Sequence, residues 1–451
     1  MGQKDSAALL GTESIGRLLL KYSAPAIVGQ IAASLYNIVD SVFIGQGVGE
    51  MAISGLAITF PLMNMAVAFG AMVGVGGSTL ISIKMGQKDT NGAIKVLCNV
   101  TILNLILGSL LTLLGLYFLD EILYFFGASE NTIPYARDYM QIILAGNVFT
   151  HLYFGLNSAM RSSGHPNKAM CITLMTVVIN AVLDPIFIFS FGWGIKGAAA
   201  ATVLAQFLAF LVVLFHFFDK SGVLRYRRAF MRLERNIVTG IFSIGVAPFV
   251  MNFCACFTTM LINNTLESHG GDLAIGAYGI NNRIVMFFVM LVLGFNQGMQ
   301  PIAGFNYGAK QFDRVIKVMK LTVVCATAVT TTAFLVGEFA PELIVRCFTD
   351  NAELTALSVN GMRIMVLAFP IVGFQMVVAN FFQSIGQAQK SVLLSSMRQL
   401  LMLIPLLLIL PDYFGLDGVW WSMPVSDFLS TVVAAVLLAY QFKSFKKGEV
   451  K

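Results

Sequence analysis

The chain has 451 residues, of which 57% are hydrophobic and 12% charged, with a mean hydropathy of +0.79. A soluble domain is excluded, because single cores stop growing at a few hundred residues and cannot hide so much apolar surface. The net charge is +6, from 29 Lys+Arg against 23 Asp+Glu, and most basic residues stand in short segments between apolar runs, a membrane-orientation pattern that needs no nucleic acid partner.

The start, MGQKDSAALLGTES, is polar, so no cleavable signal peptide is expected. Met1-Gly2 with Ser6 fits a loose myristoylation pattern, but a many-span protein gains little from a lipid anchor. Twelve transmembrane helices are then predicted, at 15–43, 51–82, 93–119, 133–160, 168–190, 194–218, 237–266, 274–303, 315–336, 355–384, 390–410 and 416–440. These runs are too long and too uniformly apolar for barrel strands, so the fold class is an all-α polytopic membrane protein. Lys and Arg concentrate at 84–95, 161–168, 219–235, 310–320 and 390–398, the richest segment holding Lys220, Arg225, Arg227, Arg228, Arg232 and Arg235. The alternate loops are bare or acidic. Both termini are therefore expected in the cytoplasm of a multi-pass protein of the cell membrane.

The chain also repeats itself. Pro25 answers Pro248 after 223 positions, Gly86 answers Gly308 after 222, Asn157 answers Asn380 after 223, and Gly194 answers Gly415 after 221. Two six-helix bundles in the same orientation follow: an N-terminal lobe over 1–218, a basic linker over 219–236 and a C-terminal lobe over 237–451. Parallel repeats of this kind place a substrate site between halves that rock to alternate access.

Asp40, Asp184 and Asp427 fall inside spans. A carboxylate at mid-membrane is costly by several kcal/mol and requires a partner, a cavity or a proton. Tyr36 and Asn37 stand one turn before Asp40, on its helix face. Asn180 stands four residues before Asp184, which Pro185 follows; Thr202 and Gln206, again four apart, form the polar stripe of the sixth span. The repeat offset sets Asn263 opposite Asp40, Met402 opposite Asn180, Leu406 opposite Asp184 and Met423 opposite Thr202. Only the first half carries the constellation, which favours coupling chemistry over scaffolding.

Buried carboxyls serve a proton, since burial and a second carboxylate both favour the neutral form. Carboxylate, amide and hydroxyl oxygens at Asp40, Asn180, Asp184 and Thr202 also suit Na+. Pro25, fifteen residues before Asp40, should kink the first helix. Asp427 is expected to pair with a second-half arginine, with Arg283 and Arg363 as candidates beside an anionic substrate group or an interfacial role. The four histidines are scattered, and the six cysteines include no CxxC, so free thiols are expected. No nucleophile elbow, metal spacing or phosphate loop argues for an enzyme or an organic cofactor.

The segments AP-IVGQIAASLYNIVDSVFIG (Pro25 to Gly45), APF at 247–249, GHPNKAM and QPIAGFNYGAK (Gln300 to Lys310) resemble the multidrug and toxic compound extrusion (MATE) family of antiporters, over nearly the full chain. Asp40 with Asn180, Asp184 and Thr202 looks like its DinF-type branch. The resemblance implies two bundles forming a V, a first-lobe proton or sodium site, and efflux of amphipathic, often cationic small molecules by a monomer in the lipid bilayer. Acids that the NorM-type branch places in its second lobe are missing from the matching positions. A lipid-linked oligosaccharide flippase of the same superfamily is the alternative reading.

Overall fold

The computed structural model describes residues 8–219 and 222–447, without the side chains of residues 37, 38, 50, 446 and 447. Gly2, Ser6, Lys220 and the side chain of Asn37 thus lie outside the described residues. No strand occurs among those described.

The helices run α1 Leu9–Thr12, α2 Ile15–Gly47, α3 Glu50–Gly86, α4 Thr90–Tyr117, α5 Leu119–Phe125, α6 Ile133–Ser162, α7 Pro166–Pro185 and α8 Gly194–Phe218. They continue as α9 Arg235–Gly308, α10 Phe312–Phe339, α11 Pro341–Val345, α12 Ala352–Val366, α13 Phe369–Ser384, α14 Ala388–Ser396, α15 Ile404–Phe414 and α16 Leu416–Lys447. Among the described residues nine helical stretches are long and apolar enough to cross a bilayer, and the pair α12 and α13, bent by 54°, makes ten. One of the nine, α9, is 74 residues long and breaks at Gly271, where φ is 65° and ψ −166°, so it holds two spans. The sequence placed a loop at 267–273; a single left-handed residue suffices, because glycine has no Cβ to clash there. The predicted span 133–160 coincides with α6, 30 residues long, which is less apolar than the others and is not among those nine.

The repeat shows in details that hydropathy does not report. The short helices α5 and α11 begin at Leu119 and Pro341, 222 positions apart, each directly after a long span. A π-helical turn interrupts the helix after α7, at Ile186–Ser190, and another joins α14 to α15 at Met397–Leu403. These two are not at equivalent repeat positions.

Two compact units are resolved by contacts. The first takes the chain up to Glu13, Val28–Asn252 and Gly304–Ala309; the second takes Ser14–Ile27, Phe253–Ala303 and the chain from Lys310 on. Division by contact thus differs from division by repeat: α2 belongs to the second unit before Val28 and to the first after it. In the first unit Val73, Leu97, Leu156 and Phe217 form one buried cluster, and Ile44, Leu123, Tyr139 and Ile188 another. In the second unit Trp420 is buried among Ile262, Leu266 and Ala277.

The basic segment after α8 is docked rather than free. The Tyr226 and Thr101 hydroxyls are 2.7 Å apart, Lys95 Nζ lies 2.9 Å from Glu234 Oε1, and Asn99 donates to the Arg232 carbonyl at 3.1 Å. All six cysteines are free thiols.

Candidate functional site

The second stretch of α2 runs beside α7 in parallel. A Cβ on Gly29 would lie 3.8 Å from Thr173, while at the other end Phe43 meets Phe189 edge-on at 6.3 Å between ring centroids. Gly47 closes the pair: a Cβ there would lie 2.4 Å from Ile188 and 2.9 Å from Phe189, so only glycine lets α2 seat against the π-turn. Between these contacts the register brings Asp40 and Asp184 together, their carboxyl groups within hydrogen-bonding reach of one another.

Helix α7 supplies Asn180 one turn from Asp184. Its Nδ2 donates to Asp184 Oδ1 at 3.2 Å and to Thr202 Oγ1, on α8, at 3.2 Å. The Tyr36 hydroxyl lies 2.8 Å from the same Thr202 oxygen. The structure therefore assembles Tyr36, Asp40, Asn180, Asp184 and Thr202 into one cluster from three helices. Asp184 is 0% exposed, Asn180 2% and Asp40 5%. That burial matters because three of the oxygens, Asp40 Oδ1, Asn180 Oδ1 and Asp184 Oδ2, have no donor. Among the described residues no Lys or Arg forms an ion pair with either carboxyl.

Two carboxylates in contact cannot both be ionised without a cation between them. The orphaned acceptors are a set that one proton with a bridging water, or one small hard cation, would satisfy. No group of three or more His, Cys, Asp or Glu side chains fit to hold a metal occurs among the described residues, so any ion there would depend on the amide and hydroxyl oxygens as well.

Two other sequence candidates are placed differently. Gln206 turns to α6, where Thr150 donates to its Oε1, rather than into the carboxyl cluster. Pro25 is buried inside α2 but belongs to the second unit. A residue that sequence reasoning missed is Tyr139 on α6, which is 2% exposed and within electrostatic reach of Asp40, Tyr36 and Asp184. Its signal was the row Tyr139, Thr150, Tyr153 and Asn157, at helical spacing in the least apolar pass.

In the second half, Asp427 does have an arginine partner, but a third one. Arg398 Nε stands 2.5 Å from Asp427 Oδ1, and Ser426 donates to the Arg398 carbonyl at 2.6 Å. Arg283 and Arg363, the two candidates from sequence, are both exposed. The second unit thus holds a neutralised pair where the first holds unneutralised carboxyls.

The MatE family model matches this chain twice, over residues 25–186 and over 248–409, and both edges of the second match lie 223 positions after those of the first. The chain belongs to the MatE family. Its relatives include the multidrug export protein MepA of Staphylococcus haemolyticus, 28% identical over 94% of this chain and 93% of that protein. A solved MATE in a bent conformation superposes with a TM-score of 0.93 at 24% identity, covering 99% of both chains. An outward-facing multidrug resistance MATE transporter gives 0.91 at 24% identity over 97% of this chain and 98% of that one. This MATE transporter is accordingly a multi-pass membrane protein of two repeated bundles, and not an enzyme. The flippase alternative finds no support among these relatives.

Proposed function

We propose that this MATE transporter exports amphipathic, often cationic small molecules in exchange for protons, and that the coupling proton is held by Asp40 and Asp184. The observation that carries this reading is the contact between two buried carboxyls with orphaned oxygens and no basic partner. Asn180, Thr202 and Tyr36 orient the pair, and Tyr139 borders it. Loading a proton removes the repulsion between the carboxyls, and losing it restores a charge that the membrane interior disfavours by several kcal/mol. Access alternates by rocking of the repeated halves. The first-half location of the carboxyls also fits the DinF-type branch, and the multidrug export function of MepA supports the class of cargo. The basic loops orient both termini to the cytoplasm of a monomer in the cell membrane.

The test is efflux of a fluorescent lipophilic cation from proteoliposomes, with pH and sodium gradients imposed separately, for wild type and Asp184→Asn. Efflux that follows the pH gradient alone and falls at least about tenfold in the variant is expected; tenfold corresponds to about 1.4 kcal/mol of coupling. Efflux driven by sodium alone would replace the proton with that ion. Gradient-driven efflux that survives Asp184→Asn would remove the site.

A further inference from the structure

The polar groups of the first unit do not end at the carboxyl cluster. On α7, Asp184 and Asn180 are followed, one turn at a time towards Lys168, by Thr176 and Thr173. On α8, Gln206 stands one turn beyond Thr202 and accepts from Thr150 of α6. Further along, the Tyr153 and Thr173 hydroxyls lie 3.1 Å apart, and Asn157 Nδ2 reaches Tyr153 at 3.1 Å and Thr173 at 3.2 Å. The seam between α6, α7 and α8 is thus polar from the carboxyls to the helix ends that carry Arg161 and Lys168. Sixteen residues of α7 separate Asp184 from Lys168, about 24 Å at 1.5 Å per residue.

Three observations set this seam apart from ordinary polar packing. Its α6 hydroxyls belong to one half: Thr150 and Tyr153 answer Gly373 and Met376 at the repeat offsets, while the Thr173 hydroxyl is kept as Ser395 or Ser396. Asn157 does have a counterpart, but among the described residues the Asn380 side chain bonds the Met376 carbonyl of its own helix, at 3.3 Å, whereas Asn157 crosses to α7. Asn157 is 5% exposed and its Oδ1 is buried with no partner, as is Asn180 Oδ1 at the other end of the seam. Buried acceptors of that kind are the anchors of internal water.

We propose that this seam is a proton path joining the carboxyl cluster to the basic end of the unit, an inference that rests on the proton-exchange reading above. At rest Thr173 and Thr176 donate to the Ala169 and Ile172 carbonyls of their own helix, at 3.1 and 2.9 Å, so the relay requires these hydroxyls to turn toward waters held at the orphaned amide oxygens; a proton entering at the cluster then leaves as one released to water at the basic end. No hydrogen bond among the described residues joins Thr202 to the Gln206–Thr150 pair, or that pair to the Tyr153–Thr173–Asn157 group. Those two one-turn gaps are where the path is interrupted, which prevents a standing leak.

The experiment uses the full chain in proteoliposomes with a pH dye inside, comparing wild type, Asp184→Asn, Thr150→Val and Thr173→Val, with Thr150→Ser and Thr173→Ser as rescues. Cation-driven proton release should slow at least tenfold in both valine variants and recover in the serine variants, with the dissociation constant for the fluorescent cation within twofold of wild type. Proton flux within twofold of wild type in the valine variants, while Asp184→Asn abolishes it, would overturn the path alone. Valine variants that lose flux and cation binding together would also overturn it, since that is what damaged packing produces. A wild type that moves the cation without protons would overturn the exchange reading itself.

Discussion

Tyr139 illustrates how one side chain can belong to a site without touching the motif that announces it. Its ring is buried against the second core cluster, and its oxygen faces the group of Tyr36, Asp40 and Asp184. Tyr139→Phe keeps the ring and removes a hydroxyl that lies near the carboxyls, with no hydrogen bond of its own among the described residues, so a loss of at most about 1 kcal/mol is expected. A lower midpoint in thermal unfolding of the detergent-solubilised protein, with export also impaired, checks this. An unchanged midpoint would show that the hydroxyl is dispensable. Much of the remaining cluster was legible from sequence for a local reason: Asn180 and Asp184 are four apart, and so are Thr202 and Gln206. Spacing puts such pairs on one helix face but does not say where the face points, which is why Gln206 turned out to serve α6.

Among the elements, α2 and the π-turn after α7 carry the geometry that spacing could not supply. Gly47→Leu would force about 1–3 kcal/mol of overpacking onto Ile188 and Phe189 and separate Asp40 from Asp184. Export should fall much further than stability, and parallel assays of gradient-driven efflux and thermal unfolding distinguish the two. Helix α4 gives a pH prediction outside the membrane. Asp89 caps it, accepting from Gly92 N at 2.8 Å, and that bond, helped by Lys84 at 3.1 Å, holds its carboxyl below the ordinary 3.8. A lowered carboxyl stabilises the fold above pH 3.8, and the contribution disappears as pH falls through the folded value. Asp89→Ala should therefore destabilise the protein at pH 7 by up to about 1 kcal/mol for this half-exposed cap, read as a lower unfolding midpoint, and the difference from wild type should vanish in acid. The π-turn was not readable from sequence, since nothing in Ile186–Ser190 departs from an ordinary apolar helix.

The molecule as a whole is a duplication whose copies have diverged in charge. Hydropathy and loop charge were enough to predict all twelve passes, because lipid imposes a length and a polarity on each. They missed the direct continuation of one span into the next at Gly271, which depends on a single backbone angle, and the choice of Arg398 for Asp427, which depends on tertiary packing. Orientation can be checked with a native side chain. Cys347 is an exposed thiol in the acidic segment between α11 and α12. A membrane-impermeant maleimide added to intact cells should label it, and Cys347→Ser should remove that signal; protection until the cells are lysed would invert the topology.

The neutral Arg398–Asp427 pair has an evolutionary consequence. If the energy source is handled by the carboxyl-bearing repeat, substitutions in the other copy can accumulate without uncoupling the machine. Selection for resistance to an unfamiliar compound should then leave its mark mainly between Phe253 and Ala303 and beyond Lys310, while lineages that exchange one driving ion for another should change residues around Asp40 and Asp184.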